Sequence, residues 1–354
     1  MNLRKLILSL TVALGLAAPA LAQTTQTQAT VARVTGAATV TLPDGSTTPL
    51  TAGMKVAQGS TITTGADGDV YLESHAGYVT SIKHDSVVAV DEISVTTEGG
   101  QVKEERTMLD LKSGNLVAKL DPKKKAVNNY QVRTPKGVAA ARGTVFTVMF
   151  RGRSYAVAVV NGEVSIAPTQ TYRLDSVLRS VVGTQTSVST VTAGKILTDG
   201  GTGNIQTNTF SINNAARTEI DTRELLAAAV ATVALAAQNN IGGTTAAEAQ
   251  AVAKAVFAVA PGVAAQTAAI IKQSSGDTSS TNPVIQAIRS EVPAAQQGSF
   301  DTSATSGTFT TTTTTTTNNS LSLLEEGITK TTTTTTTVTT PQPIDPSTIS
   351  RSNE

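Results

Sequence analysis

The feature that most limits what this chain can become is an alternating run of β-forming residues that stops at a glycine and then resumes. It occurs as "VARVTGAATVTL" around Gly36, "MLDLKSGNLVAKL" around Gly114 and "SYAVAVVNGEVSIAP" around Gly162. Alternation at a period of two sends successive side chains to opposite faces of a strand. A glycine at the break permits a positive φ, so each stretch reads as two short strands joined by a sharp change of direction. Asn161 before Gly162 strengthens the signal, because asparagine also tolerates that backbone region. The glycines are unevenly spaced, which excludes a strict fixed-period repeat. From Thr30 to about Leu197 the pattern predicts a mainly β fold, an irregular solenoid or sandwich of short strands.

The chain has no cysteine, so burial and backbone pairing must hold these strands without disulfides. With 15% charged and 3% aromatic residues it is poorly equipped for a large aromatic-lined pocket, and a net charge of +1 excludes a strongly basic nucleic-acid binder. The N-terminus, "MNLRKLILSLTVALGLAAPALAQ", has Arg4 and Lys5 ahead of an apolar run from Leu6 to Ala17, then Ala20-Leu21-Ala22. That order predicts a secretory signal cut between Ala22 and Gln23. The run is short and meets Pro19, which argues against an uncleaved anchor. Removing Arg4 and Lys5 from the 27 basic side chains leaves 25 against 26 acidic ones, a mature balance of −1. No later stretch is long and apolar enough to span a bilayer, so the expected destination is the periplasm, the cell surface or the medium.

These signals divide the chain into a signal peptide (1–22), a linker (23–29), a β domain (30–200, core 30–168), a linker (201–213), an Ala-rich helical region (214–297) and a Thr-rich low-complexity tail (298–354). Leu226, Val230, Val233 and Ala237 share one helical face, and Asn239-Asn240 with Gly242 forms a stop. Thr245 and Glu248 form a capping-box pattern ahead of Val252, Val256 and Val259. Pro261 should break that helix and start another through Ile270 and Ile271, and Asn282-Pro283 reads as the cap and first turn of a last one. Alanine favours helix but buries little area, so these helices should associate weakly or need a partner. The unbroken threonine tracts at 310–317 and 331–337 and the proline-punctuated end cannot build a core, and predict a disordered or stalk-like tail.

The most constrained island is "YQVRTPKGVAAARGTVFTV", from Tyr130 to Val148. Pro135 pushes Thr134 towards extended geometry and withholds a backbone donor, which suits a strand end. Val138 and the three alanines after it allow a close strand approach, and Gly143 suits a bend. Beyond it Phe146, Val148 and Phe150 share one face, with Val145, Thr147 and Met149 on the other. The island resembles the signature of the FecR domain family through Thr134, Pro135, Arg142, Gly143, Thr144, Phe146 and Val148. Flanking matches follow in order at Gly53, Gly59, Ile62 and Thr64, at Gly114 in the next strand pair, and at Gly162 and Val164 in the closing one. The resemblance covers roughly Thr30 to Pro168 and implies an all-β fold in which these residues are structural. Name-giving members of that family regulate iron-uptake signalling through a cytoplasmic sigma-factor-binding segment, a transmembrane helix and a periplasmic domain that contacts an outer-membrane transporter. Here the β pattern follows the cleavable signal directly, so the expectation is an exported protein without that relay.

No catalytic, cofactor or metal site is expected. Asp67, Asp69, Glu73, His75, His84 and Asp85 include the right ligand types, but their spacing fits neither an EF-hand loop nor a zinc motif, and surface histidines beside a turn explain them better. There is no G-x-S-x-G elbow, and "GGTGN" at 200–204 lacks the lysine of a P-loop, which leaves a linker reading. Lys123, Lys124 and Lys125 read as a solvated loop, and Arg142 as a structural residue inside the fold. The expected function is that of a non-catalytic interaction module in a bacterial envelope, binding a protein or glycan partner through edge strands or loops. The alternatives are an adhesive surface protein on a glycosylated threonine stalk and, further off, a periplasmic signalling component.

Overall fold

Positive-φ corners carry the chain back and forth between two facing sheets. The computed structural model describes residues 22–152, 154–168, 172–175, 180–183, 188–198, 201–204, 222–317 and 330–338. Its strands are β1 (Gln23–Gln26), β2 (Ala29–Thr35), β3 (Ala38–Thr41), β4 (Thr47–Pro49), β5 (Lys55–Val56), β6 (Thr61–Thr64), β7 (Asp69–Glu73), β8 (Tyr78–Ile82), β9 (Val87–Glu98) and β10 (Gln101–Leu120). They continue with β11 (Asn128–Thr134), β12 (Gly137–Ala141), β13 (Val145–Arg151), β14 (Ser154–Asn161), β15 (Glu163–Pro168), β16 (Tyr172–Asp175), β17 (Ser180–Gly183), β18 (Ser189–Thr192), β19 (Lys195–Thr198) and β20 (Gly201–Asn204). One sheet runs β4-β3-β6-β9-β10-β11-β12-β15-β18, with β1 beside the far half of β9. The other runs β5-β2-β7-β8-β10-β13-β14-β19-β20. Strand β10 belongs to both, and the pairings close into a barrel. Its change of sheet falls at Gly114, where φ is +104° and an added Cβ would lie 2.1 Å from Ser86 Oγ.

Between the sheets lies a core to which both contribute, including Val31, Leu72, Ile82, Phe146 and Val157 from one and Ile62, Ile93, Leu111, Val132 and Ile166 from the other. The outer face of the β13–β14 sheet is also apolar, and here the helices close over it. Tyr71, Val79, Val117, Val145, Met149, Ala156, Ala158 and Ile196 share a second core with α1 (Thr222–Gln238), α2 (Ala246–Val259), α3 (Ala264–Gln273), α4 (Pro283–Ser290) and α5 (Ala294–Ser306). The molecule is therefore layered as sheet, sheet, helix; we call the sheet under the helices the covered sheet and its partner the open sheet. Helix α1 is buried all round from Leu225 to Ala236, rather than along a single face, because it packs against the covered sheet and also against the other helices. Its alanines permit that approach: small side chains bury little area each but let neighbouring backbones come close.

Local signals set the helix ends. Glu248 N donates to Thr245 Oγ1 at 3.3 Å while Thr245 N donates to Glu248 Oε2 at 2.8 Å, forming the capping box. Asn282 Oδ1 accepts from Val284 N and Ile285 N, and α2 ends at Val259 ahead of Pro261. Polar contacts then tie the helices to the covered sheet. Lys119 Nζ lies 3.0 Å from Glu248 Oε1, His84 lies 3.8 Å from Glu224, and Arg33 donates to the Ser274 carbonyl. Beneath them Lys83 pairs with Asp69 at 2.9 Å, both side chains almost fully buried. Burial alone would lower the Lys83 ammonium, but the charge and hydrogen bond of Asp69 together with the Tyr71 hydroxyl hold Lys83 above its ordinary value.

Several segment boundaries differ from the sequence expectation. The supposed linker at 23–29 holds β1, which pairs with β9 from Gln23↔Thr97 to Gln26↔Ser94. The glycine-rich stretch at 201–204 is the edge strand β20, since backbone pairing needs no side chain. The helical region runs past Gly298 to Ser306, where buried Phe300 and Ala304 anchor α5. The threonine tracts pair as an antiparallel hairpin, β21 (Phe309–Thr317) with β22 (Lys330–Val338), in keeping with the β preference of a branched side chain. The signal segment through residue 21, most of the linker at 201–213 and the end of the tail lie outside the described residues.

Candidate interaction surface

The motif residues separated in sequence meet at two corners of the barrel. At the first, Gly143 turns the chain from β12 into β13 with φ +66°, and an added Cβ would sit 2.7 Å from Pro122 Cα. Thr144 is buried there, its carbonyl accepting from Leu120 N at 2.9 Å, and a Cβ at Gly162 would lie 2.4 Å from Thr144 Cγ2. Gly162 thus marks a crossing between sheets, since Asn161 ends a strand of the covered sheet and Glu163 begins one of the open sheet. Val164 pairs with Ala141, while Phe146 and Val148 enter the inter-sheet core. Val145 and Met149, on the opposite face of β13, lie under the helices.

The second corner joins Thr64 to Gly114 through Ser86, a residue that sequence reasoning passed over. Thr64 Oγ1 donates to the Lys83 carbonyl at 2.7 Å and accepts from Ser86 N at 2.9 Å, and Ser86 Oγ accepts from Asn115 N at 3.0 Å. Only contact between distant strands gives Ser86 this role. Thr134 closes the β11–β12 turn, its Oγ1 accepting from Lys136 N and Gly137 N and donating to the Gly137 carbonyl. Pro135 is exposed in that turn. Gly53 N donates to the Val31 carbonyl at 2.7 Å and Gly59 N to the Val90 carbonyl at 2.8 Å, pinning two surface turns.

The candidate metal ligands are held in separate interactions. Asp67 Oδ1 accepts from Ala37 N, Asp69 is paired with Lys83, and His84 is an exposed neighbour of Asp85 at 3.1 Å. His75 is not the surface histidine expected. It is 7% exposed, its Nε2 is 3.0 Å from the Arg106 carbonyl, and its ring stands edge-on to Tyr78. Burial pushes its imidazole below the ordinary histidine value. Lys124 likewise leaves the solvated-loop role, pairing with Glu105 at 2.8 Å.

With helices over the covered sheet, the outer face of the open sheet is the broad polar surface of the barrel. Arg106 meets Glu92 at 3.0 Å, and Arg133 bridges Asp91 and Asp110, which also takes Lys112 at 3.3 Å. Asn129 donates to Glu104 and accepts from Gln131 Nε2 at 2.9 Å. Beyond this charge ladder, across β11, β12 and β15, lies a cleft of about 460 Å³ lined by Asn129, Gln131, Ala140, Glu163 and Ser165, with Lys125 and Arg142 among its walls. Arg142 is exposed at this cleft instead of serving inside the fold.

The decisive comparison concerns the strands that frame these corners. Residues 60–165 match the FecR family model, described as FecR protein. The FecR match begins at the threshold of β6 and ends within β15, so it holds both corners and most of the open sheet's central strands. Strands β2, β3 and β5 and the helical layer fall outside the FecR segment but complete its two cores. Two crystal structures of a "putative anti-sigma factor" from Parabacteroides distasonis ATCC 8503 are similar at 13% identity. The first aligns over 47% of this chain and 63% of that one with a TM-score of 0.31, the second over 58% and 64% with a TM-score of 0.26. The chain thus spans less than two thirds of the length of these structures. No curated protein matches it significantly.

Proposed function

We propose that this is an exported, non-catalytic FecR-type interaction module that docks a bacterial envelope protein on the outer face of its open sheet. The observation that carries the reading is the layering: helices bury the other broad face of the barrel, while this one keeps its charge ladder and cleft in solvent. Export rests on the signal-like N-terminus, and no described helix is long and apolar enough to cross a membrane. A non-catalytic role is supported by the way the titratable groups are used. Lys83, Asp69, His75, Lys119 and Glu248 are engaged in holding strands and layers together. The motif residues then serve the barrel corners, and recognition belongs to the side chains displayed between them.

The test is photo-crosslinking with the mature chain in native envelope extract. A crosslinker at Gln131, on the open sheet, should trap a discrete partner, whereas one at Lys254, exposed on α2, should not. Trapping at Lys254 alone, or at neither position, overturns the docking face.

A further inference from the structure

We infer that the cleft on the open sheet recognises a single carboxylate side chain, Asp or Glu, on an extended and otherwise uncharged segment of a protein partner. This assignment rests on the docking reading above and names the chemistry of the partner.

Arg142 supplies the first argument. Among the FecR-motif residues it is the charged one, and the positions around it account for the corner without it: Gly143 by its positive φ, Thr144 by its carbonyl and burial, Phe146 and Val148 by the core. Its guanidinium is left at the cleft, with Lys125 also on the wall, and no ion pair joins either cation, or Glu163, to another described residue. The surrounding face behaves differently, because Arg106, Arg133 and Lys112 are each neutralised by a carboxylate of the same face. Two cations that line one concave site, unpaired among the described residues, attract an anion more strongly than the same charges spread on a flat surface, and a guanidinium matches a carboxylate in a bidentate manner.

The rest of the lining selects what carries the carboxylate. Ala140 leaves the floor low, and the Gln131 amide oxygen and the Ser165 hydroxyl offer groups of the kind that bond an extended backbone, while Glu104 and Gln131 hold the Asn129 amide in place. Glu163 sets the limit on charge, since a second carboxylate beside the first would face it with repulsion. The cleft therefore favours one acidic residue among neutral neighbours over an acidic polymer.

The experiment is an NMR titration of the full mature chain, read at the Arg142 side-chain Nε–H signal. The probes are Ac-Ala-Ser-Glu-Ser-Ala-NH2, its Gln counterpart, the same peptide with three consecutive Glu residues, and inorganic phosphate. The expected result is a saturable shift with the single-Glu peptide, at least five-fold weaker with the Gln peptide and not improved by the added Glu residues. Read at backbone amides of β11 and β12, R142Q and K125Q should each weaken binding at least three-fold, E163Q should strengthen it, and K254Q should leave it unchanged. Equal binding of the Glu and Gln peptides, or indifference to R142Q and K125Q, overturns the assignment. So does a stronger response to phosphate than to peptide, which makes the cleft a small-anion site, or no response to any probe. In each of those cases crosslinking at Gln131 still reports separately on whether the open sheet docks a partner.

Discussion

Replacing Gly143 tests whether the motif corner organises the barrel, because two separable costs meet there. Its φ of +66° is a region that an L side chain enters at a cost of about 1–2 kcal/mol. An added Cβ would also lie 2.7 Å from Pro122 Cα and 3.4 Å from Pro122 Cβ. The first contact is with backbone, which cannot rotate away, and relieving such overpacking costs roughly 1–3 kcal/mol. Gly143→Ala should therefore lose about 2–5 kcal/mol, and Gly143→Val more, because its branch enlarges the same clash. Gly45 provides the internal control: its φ is +86° but nothing lies within 4 Å of an added Cβ. Gly45→Ala should cost only the conformational part, about 1–2 kcal/mol. Thermal melts followed by circular dichroism should place Gly143→Ala roughly 4–20 °C below the parent chain, at about 2–4 °C per kcal/mol for a domain of this kind, with Gly45→Ala in between. If the two alanine variants melt together, the steric argument for the corner is wrong.

Three further outcomes follow from the layering. A chain ending at Leu197 lacks the helices over Tyr71, Val79, Val117 and Met149, each large apolar side chain worth about 1.5–3 kcal/mol when buried; it should bind a hydrophobic dye and self-associate in sedimentation, and a well-behaved monomer would refute the covered-sheet role. Glu248→Ala removes half of the α2 capping box and strands Lys119, whose side chain is 5% exposed, so urea titration should show a loss of about 1–3 kcal/mol that adding Lys119→Met partly restores. His75 stays neutral in the fold because burial lowers its pKa, while the unfolded chain takes up a proton near 6.5; stability should fall as pH drops below 6.5 towards the folded value, and His75→Gln should flatten that slope in denaturation curves at pH 7.5 and 5.0.

Local chemistry was legible where it acts over a few residues. The capping box at Thr245 and Glu248, the Asn282 cap and the break at Pro261 all depend on neighbours in the chain, and each lies where the sequence puts it. The alternation after Gly143 also carried through, with Phe146 and Val148 in one core and Val145 and Met149 in the other. The same alternation carries a second message. "VFTVMF" and "SYAVAVV" are nearly continuous apolar runs, a signal that both faces of β13 and β14 are buried.

The sequence by itself thus determined the strands, the glycine breaks, the helix ends and the FecR match, because dihedral preference, side-chain period and capping are properties of adjacent residues. Tertiary structure alone decided that the weakly apolar helices have the covered sheet as their partner, that His75 is buried, that Ser86 bridges Thr64 to Asn115, and that Arg142 faces a cleft shared with Lys125. Each of these depends on which strands become neighbours in space, a choice made by burying the most apolar area overall, and composition or spacing along the chain does not encode it one residue at a time.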